Sequence, residues 1–128
     1  MNTKLKIALA IVAGAALGAT AMQGLHAQAK PKAYSVNEVE ILDSAALATF
    51  LPKIRAAIDA NHGRSLFTLN GRITTVEGSA APQNVGIVEW DSLDDAKAFY
   101  KSQVWADTAA QRAKAEKTIR RYIVEAEK

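Results

Sequence analysis

The chain has no cysteine, two histidines and three prolines among its 128 residues. Without thiols it can form no disulfide, offer no thiolate nucleophile and carry no cysteine-linked lipid. A structural zinc site wants four Cys or His ligands, so no metal site is expected. No Gly-rich phosphate loop follows a predicted strand, and no serine sits in a nucleophile elbow. Net charge is also small, because 16 basic residues face 13 acidic ones. Internal repeats and low-complexity tracts are absent from residue 30 onward.

What is present begins with a composition break. Lys4 and Lys6 open a basic start, and an Ala- and Gly-rich apolar run follows from Ile7 to about Met22. The stretch closes on Ala27-Gln28-Ala29. Basic region, apolar region and small-x-small site in that order predict a cleavable secretory signal peptide over residues 1–29. Cleavage is expected after Ala29; Ala19-Thr20-Ala21 fits the same pattern, so a cut after Ala21 stays open. The rival reading is an uncleaved membrane anchor, against which the run is short of about 20 residues and diluted with small side chains. The expected location is therefore periplasmic or secreted. Losing Lys4, Lys6 and His26 would leave a net charge near +1 and His62 as the one histidine. So neutral a domain gives no electrostatic case for nucleic acid or membrane binding.

Residues 30–33 form a short polar leader, and residues 34–128 form one domain. Tyr34 to Ile41 reads as a strand. Asp43 or Ser44 caps a helix whose Leu47, Phe50, Leu51, Ile54 and Ile58 recur at three- and four-residue steps. Pro52 is expected to kink that helix or mark a fresh start. Asn61-His62-Gly63 ends it, with Gly63 suited to the left-handed exit. Arg64–Leu69 and Ile73–Glu77 read as two strands joined by a hairpin at Asn70-Gly71, or as one long bulged strand. Val85–Trp90 is the most apolar strand. Ser92 caps a helix through Leu93, Ala96, Phe99 and Tyr100, with Asp95 three residues on as a partial capping box. A further helix over about 105–117 and a closing strand over Ile119–Glu125 complete the order.

Strand, helix, strands, helix, strand is the split βαβ pattern of a ferredoxin-like α+β sandwich. Helices cover one face of such a sheet. Val85, Ile87 and Val88 form a near-continuous apolar run, as do Tyr122, Ile123 and Val124, so both faces are expected to be covered. A second subunit packed sheet to sheet, giving a homodimer, is the natural cover.

A series of short motifs runs through the domain: Tyr34-x-Val36-x-Glu38-Val39, Gly63-Arg64, Asn70-Gly71-Arg72, Glu77-Gly78 with Pro82, Val88-Glu89-Trp90-x-Ser92-Leu93-x-x-Ala96, and Tyr100-x-Ser102 with Arg112. Together they resemble the family called domain of unknown function 1330, in the dimeric α/β-barrel superfamily. The chain departs from the family pattern at Asn61-His62-Gly63, where a Gly-Gly pair is usual, and at Asn70, where Gly is frequent. The resemblance implies fold and dimer but no reaction. The wider superfamily includes haem-degrading and quinone-forming monooxygenases, lactone isomerases and subunits with no known catalysis, and fold does not choose among them.

Several residues are candidates for a site. His62 would serve as a base near neutral pH, or stand solvated at a helix end. Glu38, Glu77 and Glu89 lie on expected strands, with Arg64, Arg72 and Arg112 as partners for a buried carboxylate. Strand alternation puts Glu89 with Val85 and Ile87, and Glu38 with Tyr34 and Val36. The alternative places these acids in water or in dimer salt bridges. Trp90, Tyr100 and Trp105 would wall a flat pocket or fill the core and interface. Two functions follow. One is a dimeric domain binding a small apolar or aromatic molecule or a partner, with no established catalysis and no cofactor. The other is a cofactor-independent enzyme on a small aromatic, carbonyl or lactone substrate, with Glu38, Glu89 or His62 as base. A pocket beneath the sheet holding one of those groups would separate them.

Overall fold

The computed structural model describes residues 29–127. The expected signal peptide, with Ala27 and the alternative cut at Ala21, therefore lies outside the described residues except for Ala29. Strand β1 (Ala33–Ile41) is followed by helix α1 (Ser44–Ala60), capped by Asp43, whose carboxylate accepts from the Ala46 N–H at 2.9 Å. The helix buries Leu47, Phe50, Ile54, Ala57 and Ile58. It runs as one element through Pro52, so of the expected kink or fresh start the fresh start does not occur. Each large apolar side chain on that face contributes roughly 1.5–3 kcal/mol, together more than the roughly 3 kcal/mol of a mid-helix proline.

The exit from α1 differs from expectation. His62, not Gly63, takes the left-handed conformation, with φ of 59°. Gly63 instead opens β2 (Gly63–Ser65) directly beneath Trp90. A Cβ there would lie 2.5 Å from Cζ3 of Trp90 and 2.7 Å from Cγ2 of Ile58. The glycine is required by close approach rather than by its dihedral.

Of the two expected strands, Arg64–Leu69 forms only as far as Ser65 and Ile73–Glu77 does not form, so neither the Asn70-Gly71 hairpin nor the single bulged strand is present. Phe67 turns the chain with φ of 56°. The Leu66 N–H still reaches the Ile87 carbonyl at 3.0 Å, but the Ile87 N–H then donates to the Thr68 hydroxyl at 2.9 Å. A side chain has replaced the ladder. Gly71 closes a turn onto the Thr68 carbonyl at 2.8 Å. Residues 72–83 continue without regular structure, and Val76 is 94% exposed, so the Ile73–Glu77 segment has no packing to hold a strand.

Strand β3 (Asn84–Trp90) leads to α2 (Leu93–Tyr100), where Ser92 accepts from the Asp95 N–H at 3.2 Å. The single helix expected over 105–117 is two, α3 (Gln103–Asp107) and α4 (Ala109–Ala115). They part at Thr108, whose hydroxyl donates back to the Val104 carbonyl at 2.8 Å and competes with helix continuation. Strand β4 (Glu116–Glu125) starts three residues earlier than expected, because the Leu42 and Asp43 N–H groups both bond the Ala115 carbonyl and end α4 there.

The sheet order is β2-β3-β1-β4, antiparallel throughout, which is the ferredoxin-like α+β topology. The helices pack on the face that carries Ala33, Val88 and Trp90, and the core lies between them and α1 and α2. Trp90 is fully buried, with Phe99 5.1 Å away between ring centroids, and its Nε1–H donates to Ser35 Oγ at 3.1 Å. The opposite face carries cross-strand rows: Tyr34 beside Glu89 and Val124, Val36 beside Ile87 and Tyr122, Glu38 beside Val85 and Arg120. Tyr122 and Val124 are 44% and 50% exposed.

Candidate functional site

The helix-facing side of the sheet does not close fully against the helices. Between them lies a cavity of about 340 Å³, toward the lower end of the roughly 300–1,000 Å³ of small-molecule sites. Helix α1 supplies its apolar wall through Phe50, Leu51, Ile54 and Ile58. The loop after β2 supplies Phe67, Thr68, Leu69 and Asn70. Gly86 of β3 forms part of the floor, where a larger side chain would project into the space; the nearest neighbours of its absent Cβ are Leu69 at 3.6 Å and Asn37 at 3.8 Å.

One end is aromatic and polar. Phe99, Tyr100 and Trp105 form a connected set, with Tyr100 and Trp105 edge to face at 4.9 Å. Two guanidinium groups sit over the Trp105 ring, Arg112 at 3.5 Å and Arg121 at 4.8 Å from its centroid. Arg112 is fixed through Nη1, which donates to the Trp105 carbonyl and the Thr108 hydroxyl. Burial first, and the neighbouring Arg121 charge second, pull the Arg112 pKa below the usual arginine value. Arg121 donates through Nε to Asn37 Oδ1 at 2.6 Å and through Nη2 to Glu116 at 2.9 Å. The Tyr100 hydroxyl donates to the same Asn37 oxygen at 3.2 Å, and the Asn37 amide donates to the Gly86 carbonyl at 3.2 Å. Every member of this group is held by another before any ligand arrives.

The residues singled out from sequence divide between this cavity and other places. Tyr100, Trp105 and Arg112 line it together. Trp90 belongs to the core beside it. Glu38 is buried on the opposite sheet face, gripped by the Arg120 guanidinium at 2.9 and 3.0 Å, next to a polar recess formed with Ala81 and Pro82. Glu89 lies on that same face, bound by Lys32 and, at 3.1 Å, by Arg64; these contacts, the Lys32 hydrogen bond first, hold its carboxyl below the usual range. Glu77 and Arg72 are exposed in the loop. His62 faces solvent and pairs with Asp95 at 3.1 Å. None of Glu38, Glu89 or His62 lines the cavity, so the bases expected for the enzyme reading are not in it.

Sequence reasoning missed Asn37, Glu116 and Arg121. Two of these carried a usable signal. In a strand, consecutive side chains point to opposite faces, so Arg120-Arg121 must send one arginine toward the helices. Ser35 and Asn37 likewise alternate with Tyr34, Val36 and Glu38. Glu116 gave no such signal, because it was expected inside a helix.

A family model described as Domain of unknown function (DUF1330) matches residues 32–126. No curated protein matches the chain. Among solved structures, it is similar to the RPA0582 protein of unknown function from Rhodopseudomonas palustris, with a TM-score of 0.60 and 14% identity over 77% of this chain and 85% of that one. It is also similar to SnoaB, a cofactor-independent oxygenase from Streptomyces nogalater, with a TM-score of 0.55 and 13% identity over 77% of this chain and 95% of that one. Identities this low speak to fold alone.

Proposed function

The chain belongs to the DUF1330 family, and from that premise we propose that it is an exported homodimer that binds a small aromatic molecule in the cavity between sheet and helices. The observation that carries this reading is the preassembled end of the cavity, where Trp105 and Tyr100 meet Asn37, Arg112 and Arg121. An apolar, partly aromatic space with a few fixed polar groups is the usual make-up of a ligand site. The enzyme alternative gains no support from the placement of Glu38, Glu89 and His62 outside that space. The dimer is supported by the open sheet face, where Val36, Ile87, Tyr122 and Val124 form an apolar centre flanked by the Glu38–Arg120 and Glu89–Arg64 pairs. Export is supported by the order of basic start, apolar run and small-x-small site in residues 1–29. A cut after Ala29 also retains Lys30 and Lys32, which pair with Asp94 and Glu89.

The test is a titration of tryptophan fluorescence with small aromatic compounds, comparing the native protein with Gly86→Leu. Trp105 lines the cavity and reports its occupancy. Saturable binding by the native protein, abolished in a folded Gly86→Leu variant, is expected. Equal binding by both proteins would place the ligand elsewhere and refute the reading.

A further inference from the structure

We propose that the cavity selects a planar organic anion, of which an aromatic carboxylate is the simplest case, with its ring near Trp105 and its charge on Arg112 and Arg121. This rests on the cavity being a ligand site, as proposed above, and adds the charge of the ligand. The charged side chains that line the cavity are Arg55, Arg112, Arg121 and Glu116. Positive charge is thus in excess at a site with aromatic and aliphatic walls.

The excess is concentrated at one end. Arg112 and Arg121 are both held over a single indole ring, and like charges kept close in a partly desolvated place repel. Glu116 answers Arg121 at 2.9 Å. Arg112 makes no ion pair among the described residues, and both of its hydrogen bonds run from Nη1 to neutral acceptors. Glu116 reaches Arg112 only at longer range, so a neutral ligand would leave that charge incompletely answered, and a cationic one would add to the repulsion. A carboxylate supplies the missing countercharge in the planar, two-oxygen form that guanidinium groups bind best. Arg121 is already oriented by Asn37 and Glu116, so little ordering is needed on binding.

The experiment is a calorimetric titration of the purified protein with a matched set: 2-naphthoate, 2-naphthamide and 2-naphthylmethylammonium. The acid should bind at least about tenfold more tightly than the amide, as a charge-assisted contact exceeds a neutral one, and the ammonium should not bind. Arg112→Gln should reduce the acid to near parity with the amide. Lys53→Gln, on an exposed part of α1, should leave the acid's advantage intact. If Arg112→Gln does not fold, the acid-to-amide ratio of the native protein decides alone. Equal or tighter binding of the amide would overturn the charge inference and leave the cavity reading standing. Failure of all three compounds to bind would overturn both.

Discussion

The indole of Trp90 sits over the backbone at Gly63 and leaves no room for a methyl group there. Gly63→Ala should therefore destabilise the fold by about 1–3 kcal/mol, the range for forcing extra atoms into a packed core; a denaturant midpoint close to that of the native protein would contradict this. The glycine was legible in the sequence and its reason was not, because the neighbour it accommodates lies 27 residues further on. The adjacent His62 has a different role. Its hydrogen bond and charge contact with Asp95 raise the imidazole pKa, while the Ser92 hydroxyl and then His62 lower the Asp95 pKa. The sign follows for each group. A raised folded-state pKa gives stability that is present below the unfolded value of about 6.5 and lost as pH rises through the folded value. The depressed Asp95 gives stability that is present above about 3.9 and lost as pH falls through its folded value. The contact thus stabilises most between about pH 4 and 6.5. Since His62 is the one histidine among the described residues, His62→Gln should flatten the loss of melting temperature from pH 5.5 to 8. An unchanged slope would show that the contact contributes nothing.

The elements that sequence periodicity identified are those with an apolar face. Leu47, Phe50, Ile54 and Ile58 on α1, the β3 run, and Ala96 with Phe99 on α2 were all readable, because burial of their faces is what forms them. Two of the misread elements were decided by single side-chain hydrogen bonds. Thr68 supplants a β-ladder carbonyl, and Thr108 divides a helix. Neither leaves a periodic trace. Pro52 is the opposite case, a strong local signal overridden by packing. It is exposed on α1 and deprives the helix of one backbone hydrogen bond. Pro52→Ala should therefore stabilise the protein, by about 1–2 kcal/mol after allowing for the greater freedom of the unfolded chain. A lower unfolding midpoint in the variant would mean that the proline shapes α1 in a way the native packing needs.

At the scale of the molecule, a sheet with helices on one side has two consequences. It leaves an apolar face centred on Val36, Ile87, Tyr122 and Val124, and it leaves a partly open cavity between β1, β3, β4 and the helices. The open face was readable from two apolar runs. The cavity was only partly readable, since Tyr100, Trp105 and Arg112 come from adjoining segments but Asn37 and Arg121 join them through sheet register. Both features enter the central claim, that the protein is a small-molecule-binding homodimer. Native mass spectrometry of the protein isolated from its own host reads assembly and occupancy together. The expected result is the mass of two chains carrying a small organic adduct; a bare single-chain mass at micromolar concentration would contradict the account.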